Sequence, residues 1–266
     1  MIRRRAGFST GALALADFSG ALTAMQGIAE VTCVELSALR YEELRPLLEA
    51  VPKIQKNSEF AKKYGYVSIH APSNFDAGQE KEIVSLLLAR APKDWPIVLH
   101  PDTIHDFSAW QEFGEQLAIE NMDRRKTTGR TAEELDSIFE KLPKARLCLD
   151  IGHARQVDTT MTEAYKVLKM HRDRICQLHV SEVNSASRHD PLSDSAIRAF
   201  QEVAWMIPKQ IPAIIESNLT ALPAGNARTQ AIQDEISRVQ DALTPPEKRA
   251  ISARQHLTAR HTQLGC

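Results

Sequence analysis

Residues 116–154, QLAIENMDRRKTTGRTAEELDSIFEKLPKARLCLDIGHA, contain a complete strand–helix–strand unit. The apolar run QLAIENMD is followed by TAEELDSIFEKL, in which Thr131 and Glu134 have the spacing of a helix capping box. A second apolar run, ARLCLDIGHA, then leads into the helical segment MTEAYKVLKMH. Strands that alternate with helices in this way predict a parallel sheet.

The same alternation extends over most of the chain. A helical segment follows each apolar segment, and Asp17 is the candidate N-cap of the first helix. The eight apolar segments are GFSTGAL (7–13), VTCVELS (31–37), YVSIHAP (66–72), PIVLHPD (96–102), QLAIENMD (116–123), ARLCLDIGHA (145–154), ICQLHVSEV (175–183) and IPAIIESNL (211–219). Eight such units predict an α/β protein with the (β/α)8 TIM-barrel fold, and an open doubly wound sheet is the alternative.

We expect the barrel to be a single domain over residues 1–243. Residues 244–266 are polar, begin with two nearby prolines and are expected to form a tail or an extra helix. The apolar faces of the helices, together with Trp205, could serve the core or a homodimer.

Seven of the strand-like segments end in an aliphatic residue followed by a polar one. The pairs are Val34-Glu35, Ile69-His70, Leu99-His100, Ile119-Glu120, Leu149-Asp150, Leu178-His179 and Ile215-Glu216. Because side chains alternate across a strand, the aliphatic residues should face the helices and the polar ones the barrel interior. Two positions earlier, the interior should hold Cys33, Ser68, Val98, Ala118, Cys148, Gln177 and Ile214. The polar residues would then ring the C-terminal mouth, where barrel enzymes build their active sites.

Composition excludes several classes of protein. The chain has 266 residues, 43% of them hydrophobic, and 33 basic against 34 acidic residues for a net charge of -1. The apolar content is too high for a disordered chain, and no apolar run reaches the ~18 residues of a membrane span. A net charge near zero gives no general basic surface, so we do not expect nucleic acid to be the partner.

The cysteines and the N-terminus predict a cytoplasmic protein. Cys33, Cys148, Cys176 and Cys266 show no CxxC spacing, and the first three lie in strand-like runs, which indicates buried reduced thiols. The basic start of MIRRRAGFSTGALALADF resembles a signal peptide in part, but small polar residues dilute its apolar run and Asp17 ends it.

The predicted mouth is rich in metal-binding side chains. The ring holds His70, His100, Glu120, Asp150, His179 and Glu216, with His153 and His189 in adjoining loops and Glu35 as a further candidate. A single polar residue at a strand end is usually a satisfied histidine or a capping aspartate. Six at one mouth would repel or be poorly solvated without a cation, so the pattern predicts a divalent metal site.

The segments IENMD, LDIGHA, LHVSE and IIES, in this order, resemble the xylose isomerase-like TIM-barrel superfamily, which includes sugar phosphate isomerases and epimerases and endonuclease IV. The resemblance extends over strands one to eight. It implies that Glu120, Asp150, His179 and Glu216 are metal ligands. It also implies that His153 contacts substrate, as in the epimerases, or binds a further metal, as in endonuclease IV.

Two features resemble the endonuclease branch. His70 and His100 stand where that enzyme places two ligands of another metal, bridged by the equivalent of Glu120. Arg188-His189 resembles the end of its Asp-Arg-His motif and implies that His189 is a ligand too. However, Ser187 stands in place of the aspartate, so a third metal would lack a ligand.

The loop MDRRKTTGR is a dense basic cluster. It could be a solvated loop, or it could anchor a phosphate or carboxylate through Arg124, Arg125, Lys126 or Arg130. Arg188 and Arg228 could do the same, which would favour an anionic substrate. Ser181 and Ser217 are interpreted as hydrogen-bond partners of the site rather than nucleophiles.

Three functions remain open from sequence. The first is an isomerase or epimerase of a small sugar, sugar phosphate or polyol, with Glu120 and Glu216 as base and acid. His70, His153, Glu35, Arg188 and Arg124 would then contact substrate. The second is a phosphoesterase with two or more metals, and the third is a barrel that binds a ligand without catalysis. One to three ions of zinc, manganese, cobalt or iron fit the mixed nitrogen and oxygen ligands.

Overall fold

Eight parallel strands close into a barrel in the computed structural model, which describes residues 3–245. The barrel strands are β1 (Ala6–Ser9), β2 (Val31–Ser37), β3 (Tyr66–His70), β4 (Ile97–Leu99), β5 (Leu117–Glu120), β6 (Arg146–Asp150), β7 (Ile175–Val180) and β10 (Ala213–Ile215). They follow one another around the barrel in chain order, and β10 closes the ring by pairing in parallel with β1. The (β/α)8 prediction is confirmed, and the open-sheet alternative is wrong.

Helices connect successive strands on the outside of the barrel. They are α1 (Thr10–Leu13), α2 (Phe18–Met25), α3 (Tyr41–Lys56), α4 (Ser58–Lys63), α5 (Ala77–Arg90), α6 (Phe107–Trp110), α7 (Ala132–Lys141), α8 (Ile151–Val157), α9 (Thr162–His171), α10 (Asp194–Ala204) and α11 (Asn226–Ala242). Asp17 caps α2 by accepting from the backbone N–H of Gly20 at 2.8 Å.

Only half of the capping box expected at α7 is present. Thr131 Oγ1 accepts from the backbone N–H of Glu134 at 3.2 Å, as predicted. Glu134 Oε2 instead accepts from the backbone N–H of Arg130 at 2.7 Å, and its carboxylate pairs with the Arg130 guanidinium. The arginine one position upstream therefore takes the carboxylate from the cap residue.

The two faces of the strands follow the predicted alternation. The aliphatic member of each strand-end pair is fully buried in the main hydrophobic core, between the barrel and its helices. Val98, Ala118 and Cys148 form a separate small cluster with Cys176 beside it. These three were expected to point into the barrel, where small side chains leave room for polar groups above them.

Three details differ from the sequence-based expectations. The first strand ends at Ser9, and Thr10–Leu13 form a helical turn. The helix expected after β4 is reduced to α6 and a short 3-10 stretch, in which Gly114 takes a φ of 56° that interrupts the helix. After β7 the chain forms an additional antiparallel hairpin of β8 (Glu182–Val183) and β9 (His189–Asp190).

Several remaining expectations can be placed on the structure. Cys33, Cys148 and Cys176 are free thiols inside β2, β6 and β7. Trp205 is 55% exposed, so it belongs to the surface rather than the core. The C-terminal tail predicted from residue 244 falls, from 246 onward, outside the described residues. None of the helices in residues 3–245 has the length and apolar content that a membrane span needs.

Candidate active site and metal centre

The strands bring the predicted metal-binding side chains to one mouth of the barrel. His70, Glu120 and Asp150 are the last residues of β3, β5 and β6, whereas His100 and Glu216 directly follow β4 and β10. A cavity of about 370 Å³ opens there and is lined by His70, His100, Glu120, His153, His189 and Glu216, among others. This volume is at the lower end of the ~300–1,000 Å³ typical of small-molecule sites.

Four donors from four strands converge at the floor of the cavity. Glu120, Asp150, His179 and Glu216 each offer a ligand atom, and these atoms lie within 4.8 Å of one another. Asp150 Oδ2, His179 Nδ1 and Glu216 Oε2 are buried and have no hydrogen-bond partner among residues 3–245. His179 Nδ1 lies 3.3 Å from Glu120 Oε1 and 3.4 Å from Glu216 Oε2 without bonding to either. Buried polar atoms left unpaired at a common point fit a divalent cation.

Glu120 faces two groups of donors at once. Its Oε1 lies 3.3 Å from Nδ1 of His179 and also from Nδ1 of His153. Its Oε2 lies 3.3 Å from Nε2 of His70 and also from Nε2 of His100. His70, His100 and Glu120 form a second possible ligand group, so this carboxylate could bridge two ions.

A third group lies between β6 and the hairpin. Asp150, His153 and His189 offer ligand atoms within 4.8 Å of one another. Ser187 provides no carboxylate here, and its hydroxyl accepts from Gln156 Nε2 at 2.9 Å. The structure therefore assembles three of the implied ligands at this point and has a serine in place of the aspartate.

Three histidines of the cavity are oriented by hydrogen bonds to groups that are not candidate metal ligands. His70 Nδ1 lies 2.7 Å from the carbonyl oxygen of Ala71, and His153 Nδ1 lies 2.9 Å from that of Asn121. Since a carbonyl oxygen only accepts, each Nδ1 carries a proton, which leaves Nε2 as the nitrogen that could bind a metal after losing its own proton. His189 Nδ1 lies 2.8 Å from the hydroxyl of Ser181, as the role assigned to that serine requires.

Asn121 supports the site and was not identified from sequence. Its side-chain Oδ1 accepts from the backbone N–H of Asp150, and its Nδ2 donates to the Asp150 carbonyl, both at 2.8 Å. This pair of bonds fixes the end of β6 beside the end of β5. Its place immediately after Glu120 in IENMD was the available signal.

Burial and charge give the two candidate catalytic carboxyls different protonation states. Burial raises the pKa of Glu120, but the charges of His179 and His100 and hydrogen bonds from His100 and His153 hold this pKa well below its ordinary value. Burial raises the pKa of Glu216 to about 8; His179 opposes this rise, and the charges of Glu120 and Asp150 add to it. Near neutral pH, without a metal, the cavity thus holds an ionised Glu120 and a protonated Glu216.

The pKa values of two histidines in the cavity, His153 and His189, are shifted in opposite directions. Burial lowers the pKa of His153, but the charges of Asp150 and Glu120 outweigh it and raise the pKa to about 10. Burial lowers the pKa of His189 to about 4, and the charge of His153 adds to this fall. His189 is therefore neutral near pH 7, the form in which an imidazole binds a metal.

The rim of the cavity corrects two of the predicted substrate contacts. Arg188 lines the cavity as expected, but on the β5 loop Arg125 and Lys126 line it, whereas Arg124 is exposed and does not. Glu35 was expected to end its strand at the mouth, but β2 continues to Ser37, so Glu35 lies one layer deeper and fully buried. The position of Glu35 argues against direct contact with substrate.

Two other predicted basic contacts have structural partners instead. Arg130 pairs with Glu134 at the start of α7. Arg228 donates to the carbonyl oxygens of Thr220 and Leu222. Similarly, Ser217 donates to the buried carboxylate of Glu235, away from the donor groups.

Comparison with known proteins finds a family model that matches part of the chain. Residues 107–237 match the family model described as xylose isomerase-like TIM barrel, which confirms the resemblance drawn from the sequence motifs. No curated protein matches the chain in sequence.

Solved structures share the fold at low sequence identity. A xylose isomerase domain protein from Alicyclobacillus acidocaldarius has a TM-score of 0.59 and 9% identity over 90% of this chain and 98% of its own. The IOLI protein, solved with a bound zinc atom, has a TM-score of 0.55 and 14% identity over 90% of this chain and 98% of its own. The 3-keto-D-glucoside 4-epimerase YcjR from E. coli has a TM-score of 0.52 and 10% identity over 88% of this chain and 100% of its own.

Proposed function

We propose that this chain, which carries a xylose isomerase-like TIM-barrel domain, is a metal-dependent isomerase or epimerase of a small sugar, sugar phosphate or related polyol. The observation that carries the proposal is the convergence of Glu120, Asp150, His179 and Glu216, three of which keep a buried atom without a hydrogen-bond partner in residues 3–245. The zinc atom in IOLI and the sugar substrate named for YcjR support it.

These four residues would hold the metal. Three carboxylates with one imidazole fit zinc, manganese, cobalt or iron. When bound, such an ion polarises a carbonyl or hydroxyl oxygen and so lowers the cost of removing a proton from the neighbouring carbon.

The proton transfers fall to the two glutamates. In the metal-free protein, histidines hold the pKa of Glu120 low, which suits a group that accepts a proton, whereas burial raises the pKa of Glu216 to about 8, which suits a group that supplies one. They stand on β5 and β10, three strands apart around the barrel, and so approach a substrate from different sides. A pair of carboxyls with separated pKa values suits removal of a proton at one position and its return at another.

Other side chains of the cavity would bind the rest of the substrate. His70 and His153 lie beside Glu120 and could hold hydroxyl groups. Arg188, Arg125 and Lys126 line the rim, where they could bind a phosphate or carboxylate. Lys126 already pairs with Asp102 at 2.9 Å, so Arg188 is the better candidate for this contact.

A second candidate function is metal-dependent phosphate-ester hydrolysis. The observation that favours it is the position of Glu120 between two donor groups, since a bridging carboxylate is what a pair of ions ~3.5–4 Å apart requires. His70 and His100 would then be ligands rather than substrate contacts. His153 and His189 would add a third position.

Metal stoichiometry after His100→Ala distinguishes the two functions. The isomerase proposal expects about one ion per chain, measured by elemental analysis, and no change of this number in His100→Ala. A wild-type content of two or three ions that falls in the variant would support the hydrolase instead. His105→Ala is the matched control, because His105 lies outside every donor group and its Nε2 faces the Phe75 carbonyl oxygen. Sugar-isomerisation and phosphate-release assays on both variants complete the test.

A further inference from the structure

Glu35 is a fully buried carboxylate that the proposed reaction leaves without a role. Three donors meet at one of its oxygens, Oε2. Ser68 Oγ lies at 3.1 Å, Gln177 Nε2 at 2.7 Å and His179 Nε2 at 3.0 Å. Glu35 thus lies directly beneath one of the four proposed metal ligands.

The two ring nitrogens of His179 face different surroundings. Nδ1 points to Glu120 and Glu216 and has no hydrogen-bond partner, whereas Nε2 points to Glu35. A metal on Nδ1 requires a lone pair there, so the imidazole proton must be on Nε2. That proton needs an acceptor, and Glu35 Oε2 is in place to accept it.

The other close neighbour of Nε2 favours the opposite tautomer. Gln177 Nε2 lies 2.9 Å away and is an amide donor, because Tyr66 donates to the Oε1 of the same amide at 2.7 Å. Without Glu35, this donor would favour a lone pair on Nε2 and the proton on Nδ1, where it would block a metal.

We infer that Glu35 is a positioning residue: it accepts the Nε2 proton of His179 and thereby presents the Nδ1 lone pair to the metal. The inference rests on the proposed function, since it requires a metal at the four-donor group. Loss of such an outer partner typically costs about 10- to 100-fold in metal affinity.

Direct binding of the metal by Glu35 is the competing role. Its other oxygen, Oε1, has no hydrogen-bond partner in residues 3–245, and Glu35, His70 and Glu216 offer ligand atoms within 4.8 Å of one another. Two substitutions of similar size separate the roles. Glu35→Gln keeps an oxygen where the three donors meet but loses the charge, whereas Glu35→Met loses both.

The test is zinc affinity measured by competition with a chelator. We expect Glu35→Gln to stay within about fivefold of wild type and Glu35→Met to bind about 10- to 100-fold more weakly. Equal large losses in both variants would indicate direct binding, and no loss in either would also overturn the inference. Glu80→Gln is the control, because Glu80 is a buried carboxylate that accepts from the backbone of His105 and Asp106 and from Trp110.

Nitrogen NMR of zinc-loaded wild type tests the tautomer without any variant. We expect a metal-bound Nδ1 on His179 and a slowly exchanging proton on Nε2. A proton on Nδ1, or zinc on Nε2, would contradict the inference even if the variants fail to fold. Wild type that binds no zinc would contradict the proposed function, whereas zinc binding that ignores Glu35 would contradict this inference alone.

Discussion

At the scale of single residues, the two oxygens of Glu120 face different histidines. We predict that Glu120→Gln lowers metal affinity by about 100-fold or abolishes turnover, because its amide would turn an N–H donor toward one pair of imidazoles. Elemental analysis and chelator competition measure the effect. Glu163→Gln should keep its metal, because Glu163 is also buried but accepts from the backbone N–H of Ala132. Unchanged metal content and activity in Glu120→Gln would mean that the site is assigned to the wrong residues.

Glu216 should make the metal-stripped protein less stable as the pH rises. Its pKa is raised from 4.5 to about 8, so the folded state binds this proton more tightly than the unfolded state does. The resulting stability is fully present below pH 4.5 and is lost as the pH rises toward 8. Thermal unfolding between pH 4.5 and 9, with metal chelated, should therefore show a smaller fall in Tm for Glu216→Gln than for wild type. Parallel curves for the two proteins would show that Glu216 is already ionised in the fold.

The four central donors could be predicted from sequence because each one lies at or next to the end of a strand, and strand ends are visible as the edge of an apolar run. Depth along the barrel axis was harder to predict. Glu35 follows an aliphatic residue, as the polar residues at the other strand ends do, but Leu36 and Ser37 continue β2 beyond it. Likewise, Arg124, Arg125 and Lys126 are adjacent in one loop, and only the fold determines which of them line the cavity.

At the scale of elements, β1 and β2 approach so closely that only glycine fits at position 7. A Cβ on Gly7 would lie 1.6 Å from the carbonyl oxygen of Cys33, which is backbone and cannot move aside. We predict that Gly7→Ala lowers the unfolding free energy by several kcal/mol or prevents folding, as overpacking at a closed strand pair does. Gly65→Ala is the control, since its nearest neighbour would be an Arg5 nitrogen at 3.7 Å. Denaturant unfolding compares them, and equal stabilities would contradict the close approach.

Element order was predictable because hydrophobic periodicity changes between strand and helix in every unit. Irregular elements were not. The β8–β9 hairpin consists of two two-residue strands, too short for any period. The helix expected after β4 changes to a 3-10 stretch at Gln111, and Gly114 then interrupts it. The hairpin carries His189, so a resemblance to known motifs, rather than periodicity, identified that residue.

At the scale of the whole molecule, metal binding should stabilise the fold as well as the site. The donors stand on different strands, so an ion binds them together only in the folded state. At a free zinc concentration 100 times Kd, this linkage contributes about 2.7 kcal/mol, or a rise in Tm of about 5 to 10 °C for a chain of this size. Calorimetry with and without chelator measures the shift. The same rise in Glu120→Gln would place the bound zinc elsewhere.

The near-neutral composition describes the molecule poorly, because charge is distributed unevenly within it. Three buried carboxylates, Glu35, Glu120 and Asp150, and the partly buried Glu216 gather with histidines inside one end of the barrel. A count of charges does not say where the charges lie. It could argue against a surface that binds nucleic acid, but it could not show that carboxylates and histidines gather in the cavity. The order of strands around the barrel supplied the positions.

The barrel closes where its first and last strands pair, and the four-donor group has a consequence for that seam. An ion shared by Glu120 and Glu216 would tie β10 to the middle of the chain as well as to its neighbours β7 and β1. Partial openings that release β10 alone would have to break this tie, so fraying at the seam would cost more free energy with the ion bound than without it. The bound ion would then make unfolding more cooperative. Its removal would allow β10 to separate from β1 before the other strand pairs open.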